Sequence, residues 1–290
     1  MRFLVLGASG MAGHVIALYL QEQGHKVVGF ARRRVPEIEE FIVGDAREEK
    51  SLCNALDASN ADMIVNAIGI LNKDANANKS AAVYLNTYLP HRLAELTARS
   101  ASRVCQISTD CVFCGNTGPY SEDSIPDGLT WYDRTKALGE LRDDKNLTLR
   151  QSIIGPDINA NGIGLLNWFM HQGSVVKGFV GAKWTGLTTL ELAKAIEVAA
   201  SQSVTGLTNM VPSSSISKYE LLKLFSECLR EGQVEVTPDN NLQLDKTLVR
   251  TNFSIDFTPA SYERQVQEMA GWINRHKVIY KQYDLSHFAQ

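Results

Sequence analysis

Arg2-Phe3-Leu4-Val5-Leu6-Gly7-Ala8-Ser9-Gly10-Met11-Ala12-Gly13 is a short apolar run that breaks into three glycines spaced G-x-x-G-x-x-G. The run predicts a strand over 2–6, and the periodicity of 14–23 predicts an amphipathic helix. Gly24-His25 then leads into Lys26-Val27-Val28-Gly29-Phe30, a second strand. The result is a β-α-β unit with glycine at its first turn. Glycine lets the backbone turn tightly and approach a pyrophosphate, which sits on the helix N-terminus. The spacing differs from the G-x-G-x-x-G of most dinucleotide-binding turns, so a glycine turn without a ligand stays open. Its place between an N-terminal strand and a helix favours dinucleotide binding.

The second strand ends at Phe30-Ala31-Arg32-Arg33-Arg34. An acid there would bond the ribose 2′-hydroxyl of NAD, whereas Arg32 and Arg33 suit a 2′-phosphate and hence NADP. NAD and a solvated basic turn remain the alternatives. Strand-like runs follow at Phe41-Ile42-Val43-Gly44-Asp45, Met63-Ile64-Val65-Asn66-Ala67-Ile68-Gly69 and Arg103-Val104-Cys105-Gln106-Ile107. Helices are expected at 51–56, opened by a Ser51 cap, and at 81–99, where Pro90 would kink the interior. This alternation predicts an α/β fold, a Rossmann-type doubly wound parallel sheet. Ligands of such sheets bind at the carboxyl ends of the strands. Gly7, Asp45, Asn66 and Ser108-Thr109 all fall on that edge.

Tyr132 and Lys136 stand four apart in Trp131-Tyr132-Asp133-Arg134-Thr135-Lys136, early in a helix expected to run to about residue 144. Residues four apart share a helix face. A nearby ammonium favours the phenolate and lowers a phenol pKa, which suits Tyr132 to donate a proton to a carbonyl oxygen. Alone the pair is a weak signal, because Tyr and Lys meet on helix faces by chance. Leu147-Thr148-Leu149-Arg150 reads as a sixth strand, and beyond residue 156 the alternation stops. A helix at 189–200, a strand at 206–211 and helices at 218–229 and 260–275 are expected. The domain reading is a nucleotide-binding domain over 1–156, to which 185–211 returns. A smaller mixed α/β C-terminal substrate-binding lobe would comprise 157–184 and 212–290.

Of the 290 residues, 44% are apolar and 21% charged, and the net charge is −3. No basic or acidic block marks a nucleic-acid footprint or a membrane-surface helix. No apolar run reaches the roughly eighteen residues of a membrane span. Five cysteines without framework spacing argue for a reducing compartment, and the N-terminus lacks a secretory pattern, so a soluble cytoplasmic protein is expected. The six histidines, His25, His91 and His276 among them, show no metal-ligand spacing, and no metal is expected.

Gly7/Gly10/Gly13, Ser108-Thr109-Asp110-x-Val112-Phe113-x-Gly115, Pro119-Tyr120-x-Glu122 and Tyr132-x-x-x-Lys136-x-x-Gly139-Glu140, in that order, resemble the extended short-chain dehydrogenase/reductases. Within them the chain looks most like the dTDP-4-dehydrorhamnose reductase branch, over about residues 1–156. The resemblance implies NADPH-dependent reduction of the 4-keto group of a nucleotide-linked 6-deoxyhexose, for cell-surface polysaccharide precursors. It implies Tyr132 as proton donor, Lys136 as partner of Tyr132 and of the nicotinamide ribose, and Thr109 as a hydroxyl bonding the carbonyl oxygen. The cofactor would lie against Gly7, Ser9, Gly10, Met11, Gly13, Arg32, Arg33, Asp45, Ala46, Asn66, Ala67, Ile68, Gly69, Asn86 and Ile107, besides Tyr132 and Lys136. The nucleotide sugar would meet Thr109, Asp110, Cys111, Val112 and Phe113. In the lobe the candidates are Asn167, Trp184, Lys246 and Arg250, the last two four apart and able to clamp a diphosphate. Blander readings stand beside these: Thr109 as a cap of its own loop, Asn86 as a surface helix residue, Trp184 as core, Lys246 and Arg250 as surface charges.

The branch motif reads S-T-D-Y-V-F-D-G, and Cys111 and Cys114 stand where it carries Tyr and Asp. Its strand-six end reads R-T-S-W-x-Y, and here it is Arg150-Gln151-Ser152-Ile153-Ile154-Gly155. Both departures bear on the sugar, and a UDP-linked 4-keto-6-deoxy-N-acetylhexosamine is the rival substrate. A different class is a non-catalytic NADP-binding regulatory subunit, since the regulatory subunit of methionine adenosyltransferase looks like this same branch. The expected partner is a nucleotide-sugar substrate, with no nucleic acid and no membrane, and a homodimer is left open.

Overall fold

The computed structural model describes residues 1–285. Six strands come from the first half of the chain: β1 (Arg2–Leu6), β2 (Lys26–Ala31), β3 (Glu40–Val43), β4 (Met63–Asn66), β5 (Arg103–Ser108) and β6 (Leu147–Arg150). Short strands β7 (Ser152–Ile154), β8 (Val175–Phe179), β9 (Ala182–Trp184) and β10 (Gly186–Thr188) precede β11 (Gly206–Asn209). Then come β12 (Ile216–Ser217), β13 (Glu235–Asp239) and β14 (Leu244–Asp245). The main sheet runs β11-β6-β5-β4-β1-β2-β3, every neighbouring pair parallel. Its order reverses at β1 and β4, where a doubly wound sheet opens its ligand crevice.

Helices α1 (Met11–Glu22), α2 (Glu49–Ser59), α3 (Asn72–Ala77), α4 (Lys79–Ala82) and α5 (Leu89–Leu96) come before β5. Helices α6 (Trp131–Leu138), α7 (Leu165–Met170), α8 (Thr189–Ser201), α9 (Lys218–Leu229) and α10 (Tyr262–Arg275) come after it. A strand sends alternate side chains to opposite faces, and β1 does so with apolar residues on both. Phe3 and Val5 enter one cluster with Val15 and Ile16 of α1, Ala193 and Ile196 of α8, and Met269 and Trp272 of α10. Leu4 and Leu6 enter the other with Leu52 and Ala55 of α2 and Leu89 and Leu93 of α5. The distal strand β11 joins the main sheet, while β12, β9 and β14 form a separate three-stranded sheet. Residues 286–290 of the expected lobe lie outside the described residues. Among the described residues no helix is long and apolar enough to cross a membrane.

Three local expectations are corrected. The helix expected at 51–56 starts at Glu49 after Glu48, with no side-chain cap, so Ser51 lies inside it. The helix expected at 81–99 is α4, a π-helical turn at Val83–Tyr88, and α5. Pro90 sits at the start of α5, just past the π turn, where its missing N–H costs least. The Tyr132 helix ends at Leu138 and does not reach residue 144. A Cβ at Gly139 would fall 1.9 Å from the Asn86 carbonyl oxygen, so helix and π turn meet backbone to backbone there.

Candidate active site

Gly7 takes φ +81°, and a Cβ on Gly13 would lie 2.2 Å from the Gly7 carbonyl oxygen, so both glycines are required by the turn itself. The N-cap of α1 is Gly10, without a side-chain cap and without an acid in the first turn. Twelve residues of aligned peptide dipole therefore end in amides without a side-chain cap, a terminus suited to a phosphate. Arg32 and Arg33 stand exposed at the end of β2. Arg33 Nη2 donates to Asn159 Oδ1 at 2.5 Å, and Asn159 Nδ2 donates to the Ser9 carbonyl at 3.3 Å. The loop after β7 thus crosses the glycine turn. The residues present fit a dinucleotide with a 2′-phosphate. Asp45 follows β3 as expected, but Arg47 grips its carboxylate and holds its pKa below the ordinary range.

Beside this turn, Asn66 Nδ2 donates to Gln106 Oε1 at 2.7 Å and Asn66 Oδ1 accepts the Ile68 N–H at 3.3 Å. Ala67 and Ile68 pass within 3.1 Å of where a Gly7 Cβ would be. Asn86 is fully buried and not on a surface. Its Oδ1 accepts the Ile70 N–H at 2.8 Å, and its Nδ2 donates to the Ile70 carbonyl at 3.0 Å and to Thr135 Oγ1 at 3.1 Å. Asn86 therefore ties the loop after β4 to the helix that carries Tyr132 and Lys136. A π turn delivers it there, as such turns often do at functional sites.

A capping box starts α6: Thr130 Oγ1 accepts the Asp133 N–H at 3.1 Å and Asp133 Oδ2 accepts the Thr130 N–H at 3.0 Å. Thr109, Tyr132 and Lys136 are all buried. Thr109 Oγ1 accepts the Cys111 N–H at 3.1 Å and donates to Asp110 Oδ1 at 3.2 Å, so it does cap its own turn. The expected lowering of the Tyr132 pKa by Lys136 does not hold here. Burial, together with the neighbouring Cys111 and Asp110, pushes the phenol up, and contact with the Thr109 side chain draws it partly back. The Lys136 ammonium is committed to the Ile107 carbonyl at 2.6 Å, and burial pushes its pKa down to about 8.

That shift has a consequence for stability. An unfolded lysine titrates near 10.5, so between about 8 and 10.5 the unfolded chain binds more protons at this site than the folded one. Lys136 therefore makes stability rise with pH across that window, and below pH 8 its burial cost is present in full. The excess stability of a Lys136→Met variant over the wild type should be largest below pH 8 and shrink towards pH 10.5. Urea unfolding at a series of pH values reads this, and a difference that stays constant across the window contradicts it.

Other motif residues build a buried ionic hub. Glu140 grips Arg150 at both ends, Nε to Oε1 at 2.7 Å and Nη2 to Oε2 at 2.6 Å, and Ser108 Oγ donates to Glu140 Oε1 at 2.7 Å. The Arg150 guanidinium lies over the Phe113 ring, which stacks on Tyr120 at 4.1 Å. Phe113 and Val112 are thus core residues beneath the Thr109 turn. Glu122 Oε1 and Oε2 accept the N–H groups of Asn209 and Thr251, both at 2.9 Å, joining β11 to the later segment.

The lobe candidates divide. Arg250 donates to the carbonyls of Asn252, Phe257 and Ile255, so the expected diphosphate clamp with Lys246 is lost. Asn167 Nδ2 donates to the Ala160 and Gly162 carbonyls and shapes the loop over the glycine turn. Trp184 is buried, against Tyr262 on one side and the Lys218 ammonium on the other. Lys246 packs its stem against Gly115 and sends its charge towards Asp110 and Cys111. Burial pushes the Cys111 thiol up to about 12, while Cys114 Sγ donates to Asp127 Oδ2 at 2.8 Å. Lys218 escaped the sequence reading. Its only signal was a cation in the first turn of a helix, where the dipole disfavours one.

Residues 1–151 match the family described as RmlD substrate binding domain. The chain is 31% identical over 139 residues to a probable low-salt glycan biosynthesis reductase of Haloferax volcanii, 47% of this chain and 46% of that one. It is 30% identical over 142 residues to methionine adenosyltransferase 2 subunit beta of Xenopus tropicalis, 48% of this chain and 41% of that one. The match spans less than half the length of these curated relatives. Among solved structures, dTDP-4-dehydrorhamnose reductase of Bacillus anthracis in complex with NADP superposes with a TM-score of 0.77 at 17% identity, covering 92% of this chain and 98% of that one. At that identity the likeness is one of fold.

Proposed function

The chain belongs to the RmlD substrate binding domain family, and from that premise we propose that it reduces the 4-keto group of a nucleotide-linked 6-deoxyhexose with NADPH. The observation that carries the reading is that buried Tyr132 meets the Thr109 side chain while buried Lys136 bonds the Ile107 carbonyl, at the carboxyl end of β5 in the sheet whose β1 leads to the uncapped start of α1. NADPH, when bound, supplies the hydride. Gly7, Gly10 and Gly13 admit its pyrophosphate to the α1 N-terminus, and Arg32 and Arg33 favour the 2′-phosphate. Asn66 to Gly69 and Ile107 line its path, and Lys136 donates to the ribose. Tyr132, kept protonated by burial, gives its proton to the oxygen of the reduced carbonyl, and Thr109 donates to that same oxygen. The relatives' names and the structural neighbour's bound NADP support this reading.

A dTDP-linked 4-keto-6-deoxyhexose and its UDP-linked N-acetylated counterpart, each assayed for NADPH consumption, test the proposal. Oxidation with either supports reduction and selects the nucleotide sugar. Binding of NADPH without consumption on both sinks it and favours a regulatory subunit, the reading that the likeness to methionine adenosyltransferase 2 subunit beta keeps in play.

A further inference from the structure

Lys218 opens α9 directly after a capping box in which Ser217 Oγ and Glu220 Oε2 each accept the other residue's N–H at 3.0 Å. Three unfavourable circumstances meet on this side chain. A cation in the first turn opposes the dipole of a twelve-residue helix. The side chain is half-buried, and desolvation pushes the ammonium's pKa down to about 8. Among the described residues the ammonium makes no hydrogen bond and no ion pair. What it does meet is the Trp184 ring, 4.7 Å from the centroid, and beyond it the charge of Asp110 in the turn beside Thr109. Local rules broken together at one residue mark a functional position more often than an error.

We propose that Lys218, held over the Trp184 ring, recognises an acylamino substituent on the sugar together with Asp110. The inference rests on the reductase reading above and names the substrate class of that same site. An ammonium offers three donors and no acceptor, and a carboxylate offers only acceptors. An acetamido group presents a carbonyl oxygen for Lys218 and an N–H for Asp110. A diphosphate matches less well, because the Asp110 carboxylate beside the ammonium repels it.

UDP-N-acetylglucosamine and UDP-glucose differ only at that substituent, and calorimetric titration of the NADP-loaded protein with each is the test. The wild type should bind the acetamido ligand about tenfold more tightly or better. Lys218→Met should erase that preference by weakening the acetamido ligand alone, and Lys218→Arg should keep part of it. Unchanged NADPH binding and melting temperature report that the variants are folded. Equal loss of both ligands assigns Lys218 to the diphosphate and overturns the inference, as does an unchanged preference. A wild type with no preference that still reduces a dTDP-linked keto sugar overturns the inference and leaves the reductase reading standing. A wild type that reduces neither keto sugar removes both.

Discussion

Tyr132→Phe should lower kcat for carbonyl reduction by about 10²–10⁴-fold while NADPH affinity stays within about twofold. The substitution removes one oxygen from a ring packed among Ala75, Ala82, Ile70 and Cys111, and phenylalanine fills the same space. Melting temperature should therefore change little, which separates a chemical loss from a folding one. Because burial holds the phenol above its ordinary pKa, it is protonated throughout the neutral range and stands ready as an acid. Stopped-flow oxidation of bound NADPH by the keto sugar isolates the chemical step. A variant that keeps more than about a tenth of the wild-type rate would remove Tyr132 from the role of general acid.

What the sequence made legible follows from locality. The glycine turn, the buried strands and the Tyr132/Lys136 pair are written in short windows, and each stands where those windows put it. The errors arose where distant contacts decide. No local pattern announces a π turn at Val83–Tyr88; it exists because Asn86 is held between Ile70 and Thr135. The end of α6 is set by the approach of Gly139 to Asn86, some fifty residues upstream. Lys246 and Arg250 share a face only if 246–250 is helical, and it is not, so four-residue spacing carried no geometry there. Lys218 reads as one charge on an amphipathic helix until β12 and β9 bring it against Trp184. The same holds for the phenol of Tyr132, whose neighbour in sequence, Lys136, turns to the Ile107 carbonyl and leaves burial to set its titration.

Glu140→Ala should cost about 3–5 kcal/mol of stability, because it leaves the Arg150 guanidinium buried without its partner. Neither side chain has room to reach water: Arg150 is 0% exposed and Glu140 7%. Arg150 would keep the Phe113 ring and long hydrogen bonds to the Ser121 carbonyl at 3.4 Å and Asn209 Oδ1 at 3.3 Å. Arg150→Met in the Glu140→Ala background removes the stranded charge and should restore part of the loss. The double-mutant cycle, read by urea unfolding, therefore has a large coupling term. Ser108, which donates to Glu140, precedes Thr109, and Glu140 stands just past the end of the helix that carries Lys136, so the hub fixes both arms of the site at once. Loss of turnover should appear in Glu140→Ala at temperatures where the protein is still folded. A single variant costing less than about 1 kcal/mol would mean that the pair is solvated and that something else holds the two arms together.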